Sequence, residues 1–482
     1  MKNQFRSKIR IKQAMKRLLV SLFKLFKSVS FTLWQALILV AQIRIRELEN
    51  YVDNLYAYSI GGKAKKLILS SRSLESEIAN DLDVRNSHWG KANILYHAAN
   101  WEGAKTCLLQ ADAIQDSARK KMGFSDSTLR YIGTNITGSI GHIAISLGLR
   151  SRVRILENLA NDFLIVTPKS ANDAFLDLWR DYFPILRVSR PDSIAIERNF
   201  WPLFEHVQTV KTEGGVSDLI SAHNKYARAF EEAGLPPLLN IPSKMEEMGK
   251  KKLREWGWDP NGWFVVLHVR ENKFDKPGYG RNANPNSYIP AIKAIVELGG
   301  TVVRIGDRGM SALPEIIGFV DLTNRQHHEE WLDIFLMAKC KIFIGTTSGP
   351  LLVPSLFGKP VLATNAPDLG KFVYLPKSLV IPKRVKTAKG KLLTIKEQLS
   401  SPAGFSDAWL PSNKIENLQW VANSPDDILN ATTELLTSSN TDLSKIQQRV
   451  FEHIILAGAS DSTPISMSFL ESHPEFIQDI NS

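Results

Sequence analysis

The chain has 482 residues, 44% hydrophobic and 23% charged, a length too great for one ordinary core and a composition typical of folded rather than disordered proteins. Its two cysteines, Cys107 and Cys340, lie far apart, which excludes a disulfide framework or a zinc cluster and favours a reducing compartment. The net charge of +11 lies entirely in residues 1–46, since the remaining chain holds 49 Lys or Arg and 49 Asp or Glu, so we expect no nucleic-acid partner.

Residues 1–46 carry eleven Lys or Arg residues and no Asp or Glu. Apolar residues recur there at steps of three and four, which predicts an amphipathic helix: Leu18, Leu22, Leu25, Val29, Leu33, Leu37 and Val40. The uncharged run 28–43 has 16 residues, just short of the ~17–25 that span a bilayer. We therefore expect this segment to bind an anionic membrane surface, on the inner face of the cytoplasmic membrane. The alternatives are a helix packed on the protein's own body and a cleaved or spanning segment.

Residues 47–125 have a helical pattern with little strand signal. Small and aromatic residues within this region resemble one tetratricopeptide (TPR) repeat, in which two helices interlock: Trp89, Ala92, Leu95, Tyr96, Ala99, Trp101, Ala104, Leu108 and Ala111. A generic helical hairpin docked on the next domain is an equal alternative. Neither interpretation predicts catalysis.

Residues 126–240 are predicted to form a first Rossmann-like lobe, because strand, glycine-rich turn and helix follow one another in the order of such a lobe's first unit. The predicted elements are a strand at 129–132, a glycine-rich turn at 133–142, a helix from 143, a strand at 163–167 and a helix at 173–182. A proline-containing stretch at 234–242 and the charged helix ending near Trp256 are interpreted as the link to a second lobe.

Residues 255–440 are predicted to form this second lobe, and 441–482 a helical tail. The predicted strands are 264–269, 301–305, 319–322, 341–344 and 360–363, and the predicted helices are 287–298 (started by Ser287), 329–338 and 351–357. Apolar strands without alternation, separated by amphipathic helices, indicate a parallel sheet covered on both faces. Ligands of such sheets bind at the carboxyl ends of the strands, so the loops there are the candidate site.

The first of these loops opens with His268-Val269-Arg270-Glu271. An arginine at the carboxyl end of a strand presents a planar fork of donors that matches a diphosphate. An ion pair of Arg270 with Glu271 or Asp275 is the structural alternative.

A later loop, Gly-Thr-Thr-Ser-Gly-Pro at 345–350, precedes a predicted helix. Helix N-termini suit phosphate, and the hydroxyls of Thr347 and Ser348 suit phosphate or ribose oxygens. A purely structural turn is the alternative. The loop lacks the Gly-Lys-Ser/Thr ending of a P-loop, and the chain lacks a GxSxG nucleophile elbow and an HExxH zinc motif.

Together the loops carry a resemblance. His268-Val269-Arg270 resembles the His-x-Arg segment of the fucosyltransferase superfamily, and the stretch 331–361 is similar to the end of the donor lobe of heptosyltransferases. The blocks 282–307 and 348–350 resemble an uncharacterised family of bacterial glycosyltransferases of surface-polysaccharide pathways. The resemblance covers about residues 260–370.

The resemblance implies an α/β, GT-B-like fold, a nucleotide-sugar donor (GDP- or ADP-linked) in the second lobe, inverting chemistry, and no metal or other cofactor. It assigns the diphosphate to Arg270. The other implied donor-site residues are His268, Asp307, Thr347, Ser348 and Gly349. Two departures leave the donor open: Asp275 follows Arg270 by five residues, further than fucosyltransferases place their acid, and no histidine follows Ser348-Gly349-Pro350.

For the catalytic base, His142 in the glycine-rich turn is the first candidate, because an imidazole there can take the proton of an acceptor hydroxyl. A structural histidine is its alternative, and Asp275 and Glu271 are competing bases. The expected function is sugar transfer to a glycan or lipid-linked acceptor in bacterial surface-polysaccharide synthesis. The rival hypotheses are a non-catalytic helical-repeat scaffold with a sugar-binding module, and another nucleotide-binding enzyme such as a pyruvyl transferase or an epimerase.

Overall fold

The computed structural model describes residues 75–97, 100–124, 130–159, 163–258, 262–271, 280–323, 329–367, 369–401, 403–404, 418–437, 443–457 and 462–481. The predicted membrane-binding segment and Asp275 lie outside these residues. Within the described ranges, no helix combines the length and apolar character needed to cross a membrane.

The first described elements are two helices, α1 (Glu75–His97) and α2 (Trp101–Lys121), which pack on each other. Asn100 begins α2, its side-chain oxygen accepting from the Gly103 amide at 2.9 Å. The guanidinium of Arg85 lies between two indole rings, 4.0 Å from Trp89 and 4.3 Å from Trp201 of the next lobe. The helical content expected here is present, and its interpretation as a TPR-like repeat stays a prediction.

The first lobe contains a parallel sheet in the order β1-β2-β3. Its elements are β1 (Arg130–Ile132), α3 (Thr134–Thr137), α4 (Ile140–Leu156), β2 (Phe163–Thr167), α5 (Asp173–Asp177), β3 (Ile185–Arg187) and α6 (Arg190–Asn199). The predicted glycine-rich turn is wrong in part, because one helical turn occupies α3 and the long helix already begins at Ile140. The helix predicted at 173–182 is also too long, since single turns replace it after Asp177 and bring Trp179 into the core.

The lobe continues into an antiparallel hairpin of β4 (Thr209–Thr212) and β5 (Gly215–Asp218), followed by α7 (Leu219–Glu232) and α8 (Ser243–Glu255). Helix α7 contacts the second lobe through main-chain recognition. The Asn224 side chain donates to the Phe372 carbonyl at 2.9 Å and accepts from the Tyr374 amide at 2.7 Å, as a neighbouring strand would. His223 Nε2 donates to the Tyr374 carbonyl at 3.1 Å.

The second lobe is built on a six-stranded parallel sheet in the order β11-β10-β9-β6-β7-β8, which confirms the predicted parallel sheet. The strands are β6 (Trp263–His268), β7 (Gly300–Arg304), β8 (Phe319–Asp321), β9 (Phe343–Thr346), β10 (Val361–Ala366) and β11 (Leu379–Pro382). The covering helices are α9 (Ile289–Glu297), α10 (Glu330–Lys339) and α11 (Val353–Leu356). One contiguous cluster of buried apolar residues extends through both lobes, from Ile132 to Ile480.

Three predicted boundaries in this lobe are wrong. Ser287 does not start a helix, because it lies inside a 3-10 turn (Pro285–Tyr288) capped by Asn284. The strand predicted at 341–344 begins at Phe343 and extends through Thr346, since Gly345 and Thr346 pair with β10. The helix predicted at 351–357 is a 3-10 turn (Gly349–Leu352) followed by the four-residue α11.

The described part of the C-terminal region adds a two-stranded antiparallel sheet and five helices packed on the second lobe. These elements are β12 (Arg384–Thr387), α12 (Ile395–Leu399), β13 (Leu418–Val421), α13 (Pro425–Thr437), α14 (Lys445–Leu456), α15 (Met467–Ser472) and α16 (Gln478–Asn481). Buried residues of α14 and α15, such as Val450 and Phe469, belong to the main core. The tail therefore completes the second lobe.

Candidate functional site

The carboxyl ends of β6 and β9 are neighbours, and a side-chain hydrogen bond joins them. His268, the last residue of β6, pairs with Gly345 of β9, and its Nδ1 lies 3.1 Å from Ser348 Oγ. The same hydroxyl donates to the Thr346 carbonyl at 3.1 Å. Because a carbonyl oxygen only accepts, the hydroxyl proton is used there and His268 Nδ1–H donates to Ser348.

The charge state of His268 agrees with this assignment. Burial, and after it the nearby guanidinium groups of Arg270, Arg304 and Arg281, lower the pKa of His268 to about 4. The imidazole is therefore neutral at pH 7. The positive charge at this edge of the sheet resides on arginine side chains, and a neutral histidine lies among them.

Two further hydrogen bonds hold the turn that follows β9. The Arg270 amide donates to Thr346 Oγ1 at 2.9 Å, and Arg281 Nε donates to the Thr347 carbonyl at 2.9 Å. Each of the three residues before Gly349 is thus bonded to a different residue that ends or follows β6. The buried Thr347 Oγ1 has no hydrogen-bond partner within the described part of the chain. A hydroxyl in that condition fits the predicted role of Thr347 as a ligand contact.

The predicted phosphate-binding helix N-terminus after β9 is not present in the form expected. A 3-10 turn (Gly349–Leu352) and the short helix α11 (Val353–Leu356) follow Ser348 in place of one regular helix. Because so short a helix has only a small dipole, this turn offers an anion its side chains and the neighbouring arginines rather than a helix N-terminus.

Residues 280–283 return from the first loop across the carboxyl edge of the sheet. The Ala283 amide donates to the Arg270 carbonyl at 3.1 Å, which closes the base of the loop. Lys383 directly follows β11, and its Nζ donates to the Asn282 carbonyl at 2.7 Å. Burial lowers the pKa of Lys383 to about 8.

Arg281 and Lys383 are candidate-site residues that the sequence interpretation missed. Arg281 lies one residue before the recognised block 282–307, whereas no motif marks Lys383.

Glu271 follows β6 in the chain, and its carboxylate contacts residues of β7 and of the loop after β7. Its Oε2 accepts from the Ser311 amide at 2.7 Å, and its Oε1 lies 3.8 Å from Arg304 Nη2. Arg304 is fully buried and also donates to Asp321 at 3.1 Å. Glu271 is therefore held by residues of the neighbouring strand and its loop, which favours a structural role over a base for Glu271.

Asp307 follows the end of β7 and is exposed. The preceding Gly306 has φ +156°, and a Cβ there would lie 2.5 Å from Met310 Sδ, so a glycine is required. The Asp307 carbonyl accepts from the Met310 amide at 3.4 Å. This turn places the carboxylate at the same edge of the sheet as His268 and Arg270, where the sequence predicted it.

The first lobe meets this edge through the start of α4. A Cβ placed on Gly141 would lie 2.8 Å from the Cα of Gly349, and one on Gly349 would lie 2.9 Å from the Gly141 amide nitrogen. His142 is the next residue, in the first turn of α4. The structure therefore brings His142 to the junction that also holds the Thr346–Gly349 turn.

His142 is half-buried, and its Nδ1 lies 3.0 Å from the Asn135 carbonyl. Because the carbonyl only accepts, Nδ1 carries a proton and Nε2 of the neutral ring holds the lone pair. A histidine with this tautomer is equipped to accept a proton through Nε2. Among the residues described here, no group of three or more His, Cys, Asp or Glu side chains is arranged to hold a metal ion.

No family model and no curated protein sequence matches the chain. Among solved structures, it is similar to ADP-heptose lipopolysaccharide heptosyltransferase II of E. coli, with 14% identity, a TM-score of 0.35, and coverage of 54% of this chain and 92% of that chain. It is similar to a family 9 glycosyl transferase of Veillonella parvula, with 12% identity, a TM-score of 0.40, and coverage of 64% and 97%. A third match is the dodecameric iron-containing heptosyltransferase TibC in complex with ADP-D-β-D-heptose, with 16% identity, a TM-score of 0.33, and coverage of 52% and 61%.

These solved structures are glycosyltransferases, the group that the sequence motifs resemble.

Proposed function

We propose that this protein is a glycosyltransferase that moves a sugar from a nucleotide-sugar donor to a hydroxyl of a glycan or lipid-linked acceptor in bacterial surface-polysaccharide synthesis. The observation that carries the proposal is the junction of the two lobes. There the arginine-rich edge of the second lobe meets the first turn of α4, which carries His142, across the contact of Gly141 with Gly349. Arginines that can bind a leaving diphosphate and a histidine that can act as a base thereby lie on opposite sides of one junction.

On the donor side, Arg270 and Arg281 supply positive charge beside the neutral His268. A nucleoside diphosphate gains negative charge as the sugar leaves, and guanidinium groups match its oxygens with planar forks of donors. In this proposal Asp307 accepts hydrogen bonds from nucleotide hydroxyls, and Thr347 contacts a phosphate oxygen. The donor is expected to be a GDP- or ADP-linked sugar.

On the acceptor side, His142 Nε2 takes the proton of the attacking hydroxyl. The acceptor oxygen forms a bond to the anomeric carbon, the bond from that carbon to the diphosphate oxygen breaks, and its electron pair leaves with the nucleoside diphosphate. Attack from the face opposite the leaving group inverts the anomeric centre. Because arginines stabilise the leaving group, the reaction is proposed to need no divalent metal.

The decisive experiment is a panel of nucleotide sugars, screened first by thermal shift and then by release of nucleoside diphosphate. A true donor at 100 times its Kd stabilises the fold by about 2.7 kcal/mol. We expect one donor to do so, and we expect diphosphate release to require a polysaccharide-derived acceptor and to survive EDTA. Absence of both binding and release for all donors would leave a non-catalytic scaffold as the better interpretation. Loss in EDTA restored by Mn²⁺ or Mg²⁺ would indicate a metal-dependent transferase instead.

A further inference from the structure

Four residues around the start of α4 are joined by a chain of hydrogen bonds, and the helix itself closes this chain into a ring. His142 Nδ1 donates to the Asn135 carbonyl at 3.0 Å, and the Asn135 side-chain amide donates to the Glu205 carbonyl at 2.9 Å. The Glu205 carboxylate accepts from Arg150 at 2.7 Å and 3.3 Å. Arg150 lies eight residues after His142 on the same helix, so the ring begins and ends on α4.

The far side of the ring is rigid. The Arg150 side chain is 1% exposed, and it also donates to the carbonyls of Ser146 at 3.2 Å and Thr209 at 3.3 Å. The Glu205 amide donates to the Tyr131 carbonyl of β1 at 2.7 Å. A buried charge pair with all these partners holds one geometry, because loss of any partner would leave a buried polar group unsatisfied.

Asn135 is the exposed member of the ring, and its two ends face different neighbours. Its side-chain amide donates to the Glu205 carbonyl, while its main-chain carbonyl accepts a hydrogen bond from His142 Nδ1–H. When His142 accepts a proton and becomes an imidazolium, the Nδ1–H bond to that carbonyl becomes charge-assisted and strengthens. The same bond is therefore kept when the transfer step places a proton on Nε2.

We infer that Asn135 is a positioning residue for His142: through the Arg150–Glu205 pair it holds the imidazole with Nδ1 protonated and with Nε2 ready to accept the acceptor's proton. The inference rests on the proposed function, since His142 is the base there. It assigns to a surface asparagine a role that neither its residue type nor its place in a helical turn would predict.

A double-mutant cycle of Asn135→Ala and His142→Gln tests the inference. A positioned base contributes about 100- to 10,000-fold, so His142→Gln should lower kcat by that range. Asn135→Ala should lower kcat about 10-fold or more, since small misplacement of a reacting group is costly. In the His142→Gln background Asn135→Ala should have no further effect, because the two residues act as one unit. Asn430→Ala, an exposed asparagine of α13, is the matched control and should leave kcat unchanged.

Nitrogen-15 NMR of the histidine-labelled, full-length protein gives a readout that does not depend on turnover. The wild type should show His142 with Nε2 unprotonated. Asn135→Ala keeps the main-chain carbonyl but frees it from its link to Glu205, so this variant should show a mixture of tautomers. An unchanged NMR signature, or an effect of Asn135→Ala that persists at full size in the His142→Gln background, would overturn the inference. If no nucleotide sugar is turned over by the wild type, the proposed function fails, whereas the tautomer measurement still decides whether Asn135 positions His142.

Discussion

Gly141 of the first lobe and Gly349 of the second lie in direct backbone contact, and neither has room for a side chain. A Cβ on Gly349 would lie 2.8 Å from Ile140 Cγ2 and 2.9 Å from the Gly141 nitrogen. The distance between the first turn of α4, which carries His142, and the turn after β9 is therefore set by two glycines that are far apart in sequence.

Gly349→Ala should separate the two halves of the site. Overpacking of this kind costs about 1–3 kcal/mol of stability, and the displaced turn should lower kcat more than that loss of stability alone explains. Melting temperature and diphosphate release are measured together. Gly90→Ala is the control, because Gly90 is exposed within α1 with no atom near its Cβ position. This variant should be slightly more stable than the wild type, since alanine favours a helix over glycine. Full activity in Gly349→Ala would mean that the contact does not set the site geometry.

Arg270→Lys should keep the charge and lose the planar fork of donors. We expect kcat to fall by about 100- to 1000-fold, the usual effect of losing one well-placed donor to a developing charge. Arg254→Lys on the exposed face of α8 is a matched control that should behave as the wild type. Normal turnover in Arg270→Lys, or an unfolded protein, would show that Arg270 is a structural residue.

Ser348→Ala should act on stability as well as on donor binding. Its hydroxyl already has two partners within the protein, so its removal leaves His268 Nδ1–H buried without an acceptor, at a cost of about 1–3 kcal/mol. Thr347→Val, which removes a hydroxyl without a described partner, should keep the melting temperature and weaken donor binding by about 1–2 kcal/mol. Urea unfolding and titration with the donor separate the two effects. Equal effects on stability would contradict this division of roles.

Stability should fall as the pH is lowered below about 6.5. Burial lowers the pKa of His206 to about 3, that of His223 to about 3 and that of His268 to about 4. Because these folded-state pKa values lie below the unfolded value near 6.5, the stability is fully present above pH 6.5 and is lost as the pH falls toward 4, by about 1.4 kcal/mol per pH unit for each group.

His206→Phe provides the test, because His206 stacks on Trp89 at 3.6 Å and a phenyl ring keeps that stack without titrating. Urea midpoints at pH 7.5 and pH 5 should differ less in the variant than in the wild type. An equal pH dependence in both proteins would show that His206 does not contribute.

Removal of residues 1–46 should release the protein from membranes. All of the net charge lies there, and high salt should release part of the full-length protein because salt screens attraction to anionic lipid. Cosedimentation with vesicles containing phosphatidylglycerol, compared with neutral vesicles, measures the effect. If the full-length protein binds neither kind of vesicle, the membrane-binding interpretation is ruled out.

Elements with a strong local signal were predictable. The apolar run of β2 was predicted with its observed bounds at Phe163–Thr167, and the parallel sheet followed from strands that lack alternation. The ends of elements that depend on pairing or capping partners distant along the chain or outside the element were not predictable. Thr346 belongs to β9 because it pairs with Thr364, and Ser287 is no helix start because Asn284 caps the turn before it.

The site divides in the same way. His268, Arg270 and Thr347 lie in motifs and could be proposed from the sequence. The bond from His268 to Ser348 could not, because it joins residues 80 positions apart and depends on β6 lying beside β9. Lys383 has no motif at all. Its role exists only because residues 280–283 return over the end of β11. Contacts of this kind come from topology, which local pattern does not encode.

The main-chain recognition between Asn224 and residues 372–374 bears on how the two halves of this protein can diverge. Asn224 contacts a carbonyl and an amide that every residue type other than proline at 374 provides. The side chains of that segment are thus open to substitution across evolution, whereas Asn224 itself admits few replacements. A chimaera that joins this first lobe to the second lobe of a distant relative should therefore assemble whenever the grafted backbone follows the same path, whatever the amino-acid sequence of the grafted segment.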